Sequence, residues 1–319
     1  MDGATALSIE AIEQFALMVA RGLSDQPRRL DSRYLYDANG SFIFERICEQ
    51  PEYYLTRTEA GILAGAAAVI ARHTGHVTLI ELGSGSSVKT RLLLDAYCEH
   101  YGSVKYAPVD ISKTILEEAE ADISAAHPDV EVQSLHGDFE AAFPLLGTLS
   151  PSMLLFLGST IGNLGSHEAA LFWDRVSLSL SPGDFCLLGI DINENAASLH
   201  SAYNDAAGFS EAFTRNIFIR MNRELGASLD PGLIDHVAHY DRKWRRVEIF
   251  AHFLEEQDIA IEPLGSAFRI GAGEHILTEV SRKFRLEQMV PYLGTFRLET
   301  ERIFTDSARR FAVLLLRRK

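Results

Sequence analysis

The chain has 319 residues, of which 47% are hydrophobic and 23% are charged, and its net charge is −14. These fractions are typical of a globular protein with one large domain or two moderate ones. The acidic balance argues against a general nucleic-acid binder, because such a protein needs a basic surface for phosphates. We expect no transmembrane helix, because no apolar run approaches the roughly 18 residues that a bilayer requires.

The N-terminal segment and the cysteines indicate the cellular compartment. Residues 1–13 carry acids and lack the basic start of a secretory signal, so we expect a protein that is not exported. The three cysteines, Cys48, Cys98 and Cys186, lie far apart and show no C-x-x-C spacing. This spacing predicts neither a disulfide framework nor a zinc site, and the apolar pattern around Cys186 is typical of core. We therefore expect a cytoplasmic protein that binds no metal.

The first part of the chain is predicted to be helical, with polar segments between the helices. Apolar residues at helical spacing predict a helix over residues 8–23, a helix-like segment over 42–48 and a helix that begins near Thr58 and includes 62–71. Four tyrosines lie in polar, loop-like sequence near these segments: Tyr34, Tyr36, Tyr53 and Tyr54. Two interpretations are open: the rings pack on the core with their hydroxyls in water, or they line the wall of a ligand pocket.

From residue 77 the chain alternates strand and helix patterns. The predicted strands are residues 77–82, 105–110, 130–135, 153–157 and 185–190. The predicted helices between them are residues 87–101, 112–126 and 167–180. Such alternation is typical of an α/β fold with a parallel sheet.

After Asp191 the regular alternation ends. Residues 196–225 are largely helical in pattern, and residues 286–293 predict another helix. Predicted strands are residues 244–253, 259–270, 297–304 and 310–316, the last two as a closing antiparallel pair. The regular α/β region is therefore followed by a part of different organisation.

A glycine turn follows the first predicted strand, with Glu81, Gly83 and Gly85 forming the pattern E-x-G-x-G. Glycines at such a turn let the backbone approach a ligand closely. Val88 precedes Lys89, which excludes a phosphate-binding Walker loop, and Val88 also replaces the third glycine of the dinucleotide fingerprint. The remaining pattern is the first motif of class I methyltransferases that use S-adenosylmethionine. A plain strand-to-helix turn is the alternative.

Polar and aromatic side chains follow the ends of the later strands. Asp110 stands where a carboxylate accepts hydrogen bonds from ribose hydroxyls; a helix N-cap is the alternative, and the two roles are compatible. Asp138 and Phe139 follow the third strand, where an acid would accept from the adenine amine and a ring would pack on the base. Asn163 follows the fourth strand and is either a substrate contact or a turn-forming residue beside Gly162.

Taken together, these motifs resemble the ergothioneine-pathway L-histidine Nα-methyltransferases, the family that makes hercynine. The resemblance covers nearly the whole chain from about residue 30. It is carried by residues 36–38, 51–60, 81–87, 108–110, 137–139, 160–163, 203–208, 215–216, 222–226 and 278–284. The set of segments is specific to the family, although no single segment is.

The resemblance implies a Rossmann-like class I methyltransferase sheet of the α/β class with a second, smaller α+β substrate domain. The cofactor domain would comprise residues 60–194 and 286–319, and the substrate domain residues 8–59 and 195–285, with histidine between the two. The cofactor would be S-adenosylmethionine, with Lys89 approaching its methionine carboxylate. The implied cofactor-binding residues are Gly83, Gly85, Lys89, Asp110, Asp138 and Phe139.

The resemblance also implies six histidine-binding residues: Tyr36, Tyr53, Asn163, Tyr203, Glu279 and Ser281. Asn163 and Tyr203 would bind the α-carboxylate, while Tyr36 and Asn163, the implied catalytic residues, would orient the α-amine. Glu279 and Ser281 would bind the two imidazole nitrogens, because a carboxylate accepts from one N–H and a hydroxyl serves the other nitrogen. Two residues apart on a strand, they point to the same face. The alternative to a binding site is that this face belongs to an edge strand and is exposed to solvent.

The implied reaction is three successive methyl transfers to the α-nitrogen of L-histidine, giving N,N,N-trimethylhistidine without a metal. Ile249 departs from the family, where a methionine is expected in the pocket wall, and we expect it to alter the shape of the pocket rather than abolish binding. We expect a monomer that acts on a small molecule and has neither a nucleic-acid nor a membrane partner.

Three alternatives to this reaction remain. They are another acceptor, such as an indole-bearing amino acid of fungal alkaloid synthesis, a nicotinamide dehydrogenase, and an inactive S-adenosylmethionine sensor. The missing third glycine argues against the dehydrogenase. The pair of Glu279 and Ser281 favours histidine as the acceptor.

Overall fold

The computed structural model describes residues 9–319, so Ser8, the first residue of the first predicted helix, lies outside the described residues. The α-helices are α1 (Ile9–Ser24), α2 (Ala38–Glu49), α3 (Tyr54–Thr74), α4 (Arg91–Tyr101), α5 (Lys113–Ala126), α6 (Phe139–Leu146), α7 (Ser166–Ser179), α8 (Ala196–Ala202), α9 (Phe209–Leu225) and α10 (Leu286–Gly294). The β-strands are β1 (Thr78–Leu82), β2 (Val104–Asp110), β3 (Val130–Val132), β4 (Leu135–His136), β5 (Ser152–Phe156), β6 (Phe185–Asp191), β7 (Ile234–Asp241), β8 (Arg246–Phe253), β9 (Gln257–Ile261), β10 (Ser266–Ile270), β11 (His275–Arg282), β12 (Leu298–Thr305) and β13 (Phe311–Arg318). Within residues 9–319, none of these helices combines the length and apolar composition needed to cross a membrane.

Two compact units divide the chain. The larger unit contains Tyr53–Leu199, Arg242–Arg246 and Ser281–Lys319. The smaller unit contains the described residues up to Glu52, together with His200–Asp241 and Val247–Val280. Each unit is therefore assembled from segments that lie far apart in the sequence.

The larger unit is built on one mixed sheet with the strand order β12-β13-β6-β5-β1-β2-β3, and β4 also pairs with β2. The pairs from β3 and β4 across to β6 are parallel, whereas β13 is antiparallel to β6 and β12 is antiparallel to β13. The predicted Rossmann-like sheet and its closing antiparallel pair are confirmed. Because parallel neighbours align their carboxyl ends, the segments after β1, β2, β4 and β5 lie at one edge of the sheet.

The centre of this sheet is buried on both faces. Every residue of β5 and β6 is buried, as a continuous apolar pattern predicts for central parallel strands. Phe156 packs on Phe172 with ring centroids 4.6 Å apart, beside the fully buried Trp173. Each such side chain contributes about 1.5–3 kcal/mol by leaving water. Cys186 lies in this core as predicted, and burial raises the pKa of its thiol to about 12.

Three elements of the larger unit differ from their predicted bounds, and the first is α3, which begins at Tyr54 rather than near Thr58. The predicted strand over residues 130–135 is interrupted, because β3 ends at Val132 and β4 begins only at Leu135. The predicted helix over residues 87–101 begins at Arg91, because Ser87 has a φ of 55°, which lies outside the right-handed helical region.

The smaller unit combines helices with short strands. The predicted alternation in β8 is confirmed, since Val247, Ile249, Ala251 and Phe253 are buried and the residues between them are half-buried. β8 pairs with β7, which the sequence pattern does not predict, and with β11 in a three-stranded sheet. The predicted single strand over residues 259–270 is wrong. It is the antiparallel hairpin of β9 and β10, which turns through Gly265 at a φ of 58°.

Candidate active site

The glycine turn after β1 is attached to the end of β2. The N–H groups of Gly83 and Ser84 both donate to the Val109 carbonyl oxygen, at 2.8 and 3.2 Å. Gly83 and Gly85 have φ values of 67° and 51°, in the left-handed region that glycine adopts without a steric cost. The Gly85 N–H donates to Asp110 Oδ2 at 2.8 Å. The structure therefore brings together three of the predicted cofactor-binding residues.

Asp110 has further hydrogen-bonding capacity beyond the turn. Its Oδ1 accepts from the Ser112 N–H at 2.9 Å, and the N-cap position of α5 is Ser112. The alternative that Asp110 is the N-cap of α5 is therefore wrong, because the N-cap lies two residues later in the chain. Burial raises the pKa of the Asp110 carboxyl above 3.8, against the hydrogen bonds that lower it. A carboxylate has about four acceptor positions, so each oxygen can still accept from a ligand hydroxyl.

Asp138 and Phe139 lie at the start of α6, beside the glycine turn. Asp138 is the N-cap of α6 and accepts from the Glu140 N–H at 3.0 Å. A Cβ on Gly83 would lie 3.7 Å from the Phe139 ring, so the ring and the turn are neighbours. Phe156 contacts the same ring edge-on at a centroid distance of 5.3 Å, which fixes its orientation.

These residues fit the S-adenosylmethionine that the resemblance implies. The turn has glycines where a ligand approaches the backbone, Asp110 offers acceptors, and Phe139 offers an aromatic face. The Ser84 hydroxyl oxygen is buried within this turn and has no hydrogen-bond partner in the part of the chain that the structure describes. A buried polar atom without a partner is costly unless a ligand or water satisfies it.

Glu81 has a structural role that the sequence reasoning missed. It is 3% exposed and accepts from Thr90 Oγ1 at 2.7 and 2.8 Å and from the Tyr106 hydroxyl. The Tyr106 hydroxyl also lies 2.8 Å from Ser87 Oγ. This buried carboxyl therefore connects β1 and β2 to the turn that leads into α4. The signal available in the sequence was an acid in the last two residues of an apolar strand.

The environment of Glu81 predicts a pH-dependent stability. Burial raises the pKa of its carboxyl from 4.5 to about 7, so the folded chain binds this proton more tightly than the unfolded chain. Stability is therefore highest below the unfolded pKa and falls as pH rises through about 7. We expect Glu81→Gln to flatten this part of the pH dependence, by up to about 3 kcal/mol in the free energy of unfolding. Urea denaturation at acidic and alkaline pH measures it.

The control for this experiment is Glu117→Gln, which changes an exposed carboxyl in an ion pair with Lys113. That variant should keep the wild-type pH dependence. An unchanged pH dependence in Glu81→Gln would contradict the role assigned to the buried carboxyl.

Lys89 is paired with a buried carboxylate that the sequence reasoning also missed. Lys89 Nζ donates to Glu59 on α3, whose side chain is fully buried. The Gly158 N–H donates to both Glu59 oxygens at 2.9 Å. A Cβ on Gly189 would lie 1.9 Å from Glu59 Oε1, so a glycine in β6 leaves the space for this carboxylate. Glu59 therefore fixes the ammonium of Lys89 beside the segment that follows β5.

Asn163 and Ser281 belong to the larger unit and lie near each other. Asn163 ends a short 3-10 turn, Thr160–Asn163, that follows β5. A Cβ on Gly162 would lie 2.9 Å from the Arg282 carbonyl oxygen, so this turn packs on the backbone of β11 next to Ser281. Tyr53, which is 7% exposed, is the N-cap of α3 in the same unit.

A chain of buried polar groups leads to Ser281. Lys283 Nζ donates to Ser281 Oγ at 2.9 Å and forms an ion pair with Asp191 Oδ2 at 2.8 Å. The Tyr54 hydroxyl donates to the same Asp191 oxygen at 2.7 Å. The sequence reasoning assigned no role to Lys283 or Asp191, because their partners lie far away in the chain, and it left Tyr54 open between core packing and a pocket wall.

Tyr36, Tyr203 and Glu279 belong to the smaller unit. The Tyr36 ring packs edge-on against Phe44 and Phe213, with centroid distances of 5.5 and 5.1 Å. Next to Tyr36, Asp37 caps α2 and accepts from Asn216 Nδ2 at 2.8 Å. These contacts fix the segment that carries Tyr36.

Neighbouring backbone contacts position the other two residues. The Tyr203 carbonyl oxygen lies 2.8 Å from His236 Nε2. Glu279 is half-buried on β11 and follows Thr278, whose hydroxyl donates to the Ile249 carbonyl oxygen at 3.1 Å. The other edge of β11 is also occupied, because the Leu30 N–H donates to the Leu277 carbonyl oxygen at 2.8 Å.

Comparison with known proteins identifies the family. A family model described as "Histidine-specific methyltransferase, SAM-dependent" matches residues 15–318. The chain is 39% identical to a histidine N-alpha-methyltransferase of Mycolicibacterium smegmatis, over 96% of this chain and 95% of that protein. It is 37% identical to a protein of the same name from Mycobacterium tuberculosis, over 93% of this chain and 92% of that protein. It is 33% identical to ergothioneine biosynthesis protein 1 of Neurospora crassa, over 63% of this chain and 24% of that protein. The chain belongs to the family of histidine-specific, S-adenosylmethionine-dependent methyltransferases.

Proposed function

We propose that this methyltransferase transfers methyl groups from S-adenosylmethionine to the α-amino nitrogen of L-histidine. Three successive transfers give N,N,N-trimethylhistidine, also called hercynine. The observation that carries the choice of acceptor is the pair of Glu279 and Ser281, two residues apart on β11. A carboxylate and a hydroxyl on one face of a strand suit the two nitrogens of an imidazole. The family description and the names of the bacterial relatives support the same acceptor.

The remaining substrate-binding residues are proposed to bind the amino-acid part of histidine. In this proposal Asn163 and Tyr203 bind the α-carboxylate, Tyr36 and Asn163 orient the α-amine, and Tyr53 completes the wall around the substrate. Ile249 would give this wall a shape different from that of relatives with a methionine. The packing of the turn that carries Asn163 and of the Tyr36 ring supports their use, because a side chain on a fixed segment loses little entropy when it binds.

S-adenosylmethionine supplies an activated methyl group on a sulfonium, so the protein's task is alignment and exclusion of water. We propose that Asp110 binds the ribose, Asp138 and Phe139 bind the adenine, and Lys89 approaches the methionine carboxylate. The α-amine must lose its proton before it attacks. We propose that this proton is lost to solvent before productive binding, or to a water held beside the Tyr36 hydroxyl.

The acceptor is tested with a panel of amino acids. Release of S-adenosylhomocysteine is followed with histidine, tryptophan and phenylalanine, each over a range of concentrations. We expect kcat/KM for histidine to exceed the other values by at least about 100-fold, because Glu279 and Ser281 would lose their partners with an acceptor of another shape. Equal or higher kcat/KM for tryptophan would replace the proposal with an indole-bearing acceptor.

We also propose that the enzyme acts as a cytoplasmic monomer, and that the larger unit binds the cofactor while the smaller unit contributes substrate-binding residues. Light scattering measures the mass in solution. A mass near 35.4 kDa supports the monomer, and a mass near twice that value contradicts it.

A further inference from the structure

The buried chain of Tyr54, Asp191, Lys283 and Ser281 ends at a proposed substrate contact. The side chains of Lys283 and Asp191 are both fully buried, and their charged atoms lie 2.8 Å apart. Burying an ion pair costs several kcal/mol of desolvation, which the pair recovers only with good geometry and additional hydrogen bonds. Replacing such a pair by apolar residues is often neutral or stabilising, so stability alone is a weak reason for its presence.

The hydrogen bonds of Asp191 fix the position of the Lys283 ammonium. Asp191 Oδ2 accepts from Lys283 and from the Tyr54 hydroxyl, and Asp191 Oδ1 accepts from the Asn193 N–H at 2.9 Å. The ammonium is thereby fixed at one end, and it donates to Ser281 Oγ at 2.9 Å. An ammonium has three donors and no acceptor, so Ser281 Oγ is the acceptor in this contact.

This contact determines which hydrogen bond Ser281 offers to a ligand. A hydroxyl whose oxygen accepts from an ammonium is polarised so that its own proton becomes a better donor. A positive charge this close also disfavours a second N–H or an imidazolium at the same oxygen. A ring nitrogen that meets Ser281 is therefore favoured in its unprotonated form.

We propose that Lys283 is a positioning residue that makes Ser281 a hydrogen-bond donor, so that the enzyme selects the neutral imidazole of histidine with its ring N–H directed to Glu279. This inference rests on the proposed function. It concerns the protonation state in which the substrate is bound, rather than the identity of the substrate.

Other charged groups lie near Lys283. The Lys283 N–H donates to the Arg245 carbonyl oxygen, and the Arg245 guanidinium pairs with Glu194. Arg245 and Arg285 lower the pKa of the Glu194 carboxyl to about 2. Two further cations lie over neighbouring rings, Arg282 over the Phe284 ring and Arg310 over the Tyr54 ring. Arginines stay protonated, so the free imidazole of histidine, rather than any of these groups around Lys283, is expected to titrate near pH 6.5.

The test measures the histidine affinity by calorimetry with S-adenosylhomocysteine bound, at one pH unit below and one above the imidazole pKa. Only about a tenth of histidine is neutral at the lower pH and about nine tenths at the higher, so the wild type should bind about tenfold more weakly at the lower pH. In Lys283→Met this ratio should fall below about threefold, because protonated imidazole is then tolerated. The affinity for S-adenosylhomocysteine should not change.

Two further variants keep the result interpretable. Arg282→Met removes the neighbouring cation at the end of β11, which donates to the Leu164 carbonyl oxygen, and should keep the tenfold ratio. If Lys283→Met alone does not fold, it is combined with Asp191→Asn. The double variant removes both charges and leaves no unpaired buried charge. The double variant should show the same reduced ratio.

Two outcomes would overturn the inference. One is a tenfold ratio that persists without Lys283, and the other is a wild type whose histidine affinity is equal at the two pH values. A failure of the proposed function would give a different binding result from a failure of this inference. In that case the wild type would bind S-adenosylhomocysteine but show no histidine binding at either pH.

Discussion

Glu279→Ala is expected to weaken histidine binding by about 100-fold while leaving the affinity for S-adenosylmethionine within about twofold. A hydrogen bond to a charged group contributes about 1.5–3 kcal/mol, and in this variant the ring N–H of histidine loses its carboxylate acceptor. Calorimetry with each ligand separately measures both affinities. Glu279→Gln retains an acceptor oxygen without the charge, so its histidine affinity should lie between those of the wild type and the alanine variant.

The matched control is Glu256→Ala, which removes a carboxylate of the same unit that is paired with Arg269. Its affinities for both ligands should equal those of the wild type. Equal loss of both ligands in Glu279→Ala would indicate misfolding rather than a lost substrate contact. An unchanged histidine affinity in a folded Glu279→Ala variant would contradict the role proposed for Glu279.

Asp110→Ala is expected to weaken S-adenosylmethionine binding by about 100-fold or more, because two ribose hydroxyls would lose their acceptor. The change also removes the partner of the Gly85 and Ser112 N–H groups, so the glycine turn loses one of its attachments to the end of β2. Asp110→Asn keeps one acceptor oxygen, and we expect a smaller loss of about tenfold. Calorimetry with S-adenosylhomocysteine measures the affinity, and thermal melting measures the stability.

Asp122→Ala is the matched control for this prediction, because Asp122 is an exposed carboxylate of the larger unit, 3.5 Å from Arg91. It should leave cofactor affinity unchanged. If Asp110→Ala retained cofactor affinity within about twofold, Asp110 would have only the structural role of binding the turn.

The parts of the fold that the sequence predicted are those with a local signal. Continuous apolar runs between turn residues are enough to locate β5 and β6, since buried parallel strands have no polar face. The predicted helix start at Ser87 was wrong because a single residue with positive φ delays the helix to Arg91. The predicted strand over residues 259–270 was wrong because a turn with Pro263 and Gly265 divides its apolar pattern into two strands.

β7 was missed because its sequence offers little contrast between a buried and an exposed face. Of its eight residues, only Ile234 and Ala238 are buried, four positions apart. That spacing suits a helix as well as a strand, so periodicity cannot decide between them. The pairing with β8 decides instead, and such a long-range contact has no signature in one sequence.

The residues of the site also divide into those with a local signal in the sequence and those that depend on a distant partner. The glycine turn and Asp110 follow predicted strands, so their proximity is a consequence of parallel pairing. Glu59, Asp191 and Lys283 are buried charges, and each is explained only by a partner elsewhere in the chain. Lys89 was assigned to the cofactor from its position in the motif, whereas its pairing with Glu59 became visible only in three dimensions.

The identity of the reaction is tested most directly by mass spectrometry of L-histidine incubated with the enzyme and S-adenosylmethionine. We predict products that carry one, two and finally three added methyl groups, with fragmentation spectra that place every methyl on the α-nitrogen. A reaction without methylated histidine, or with the methyl groups on the imidazole ring, would contradict the proposed function.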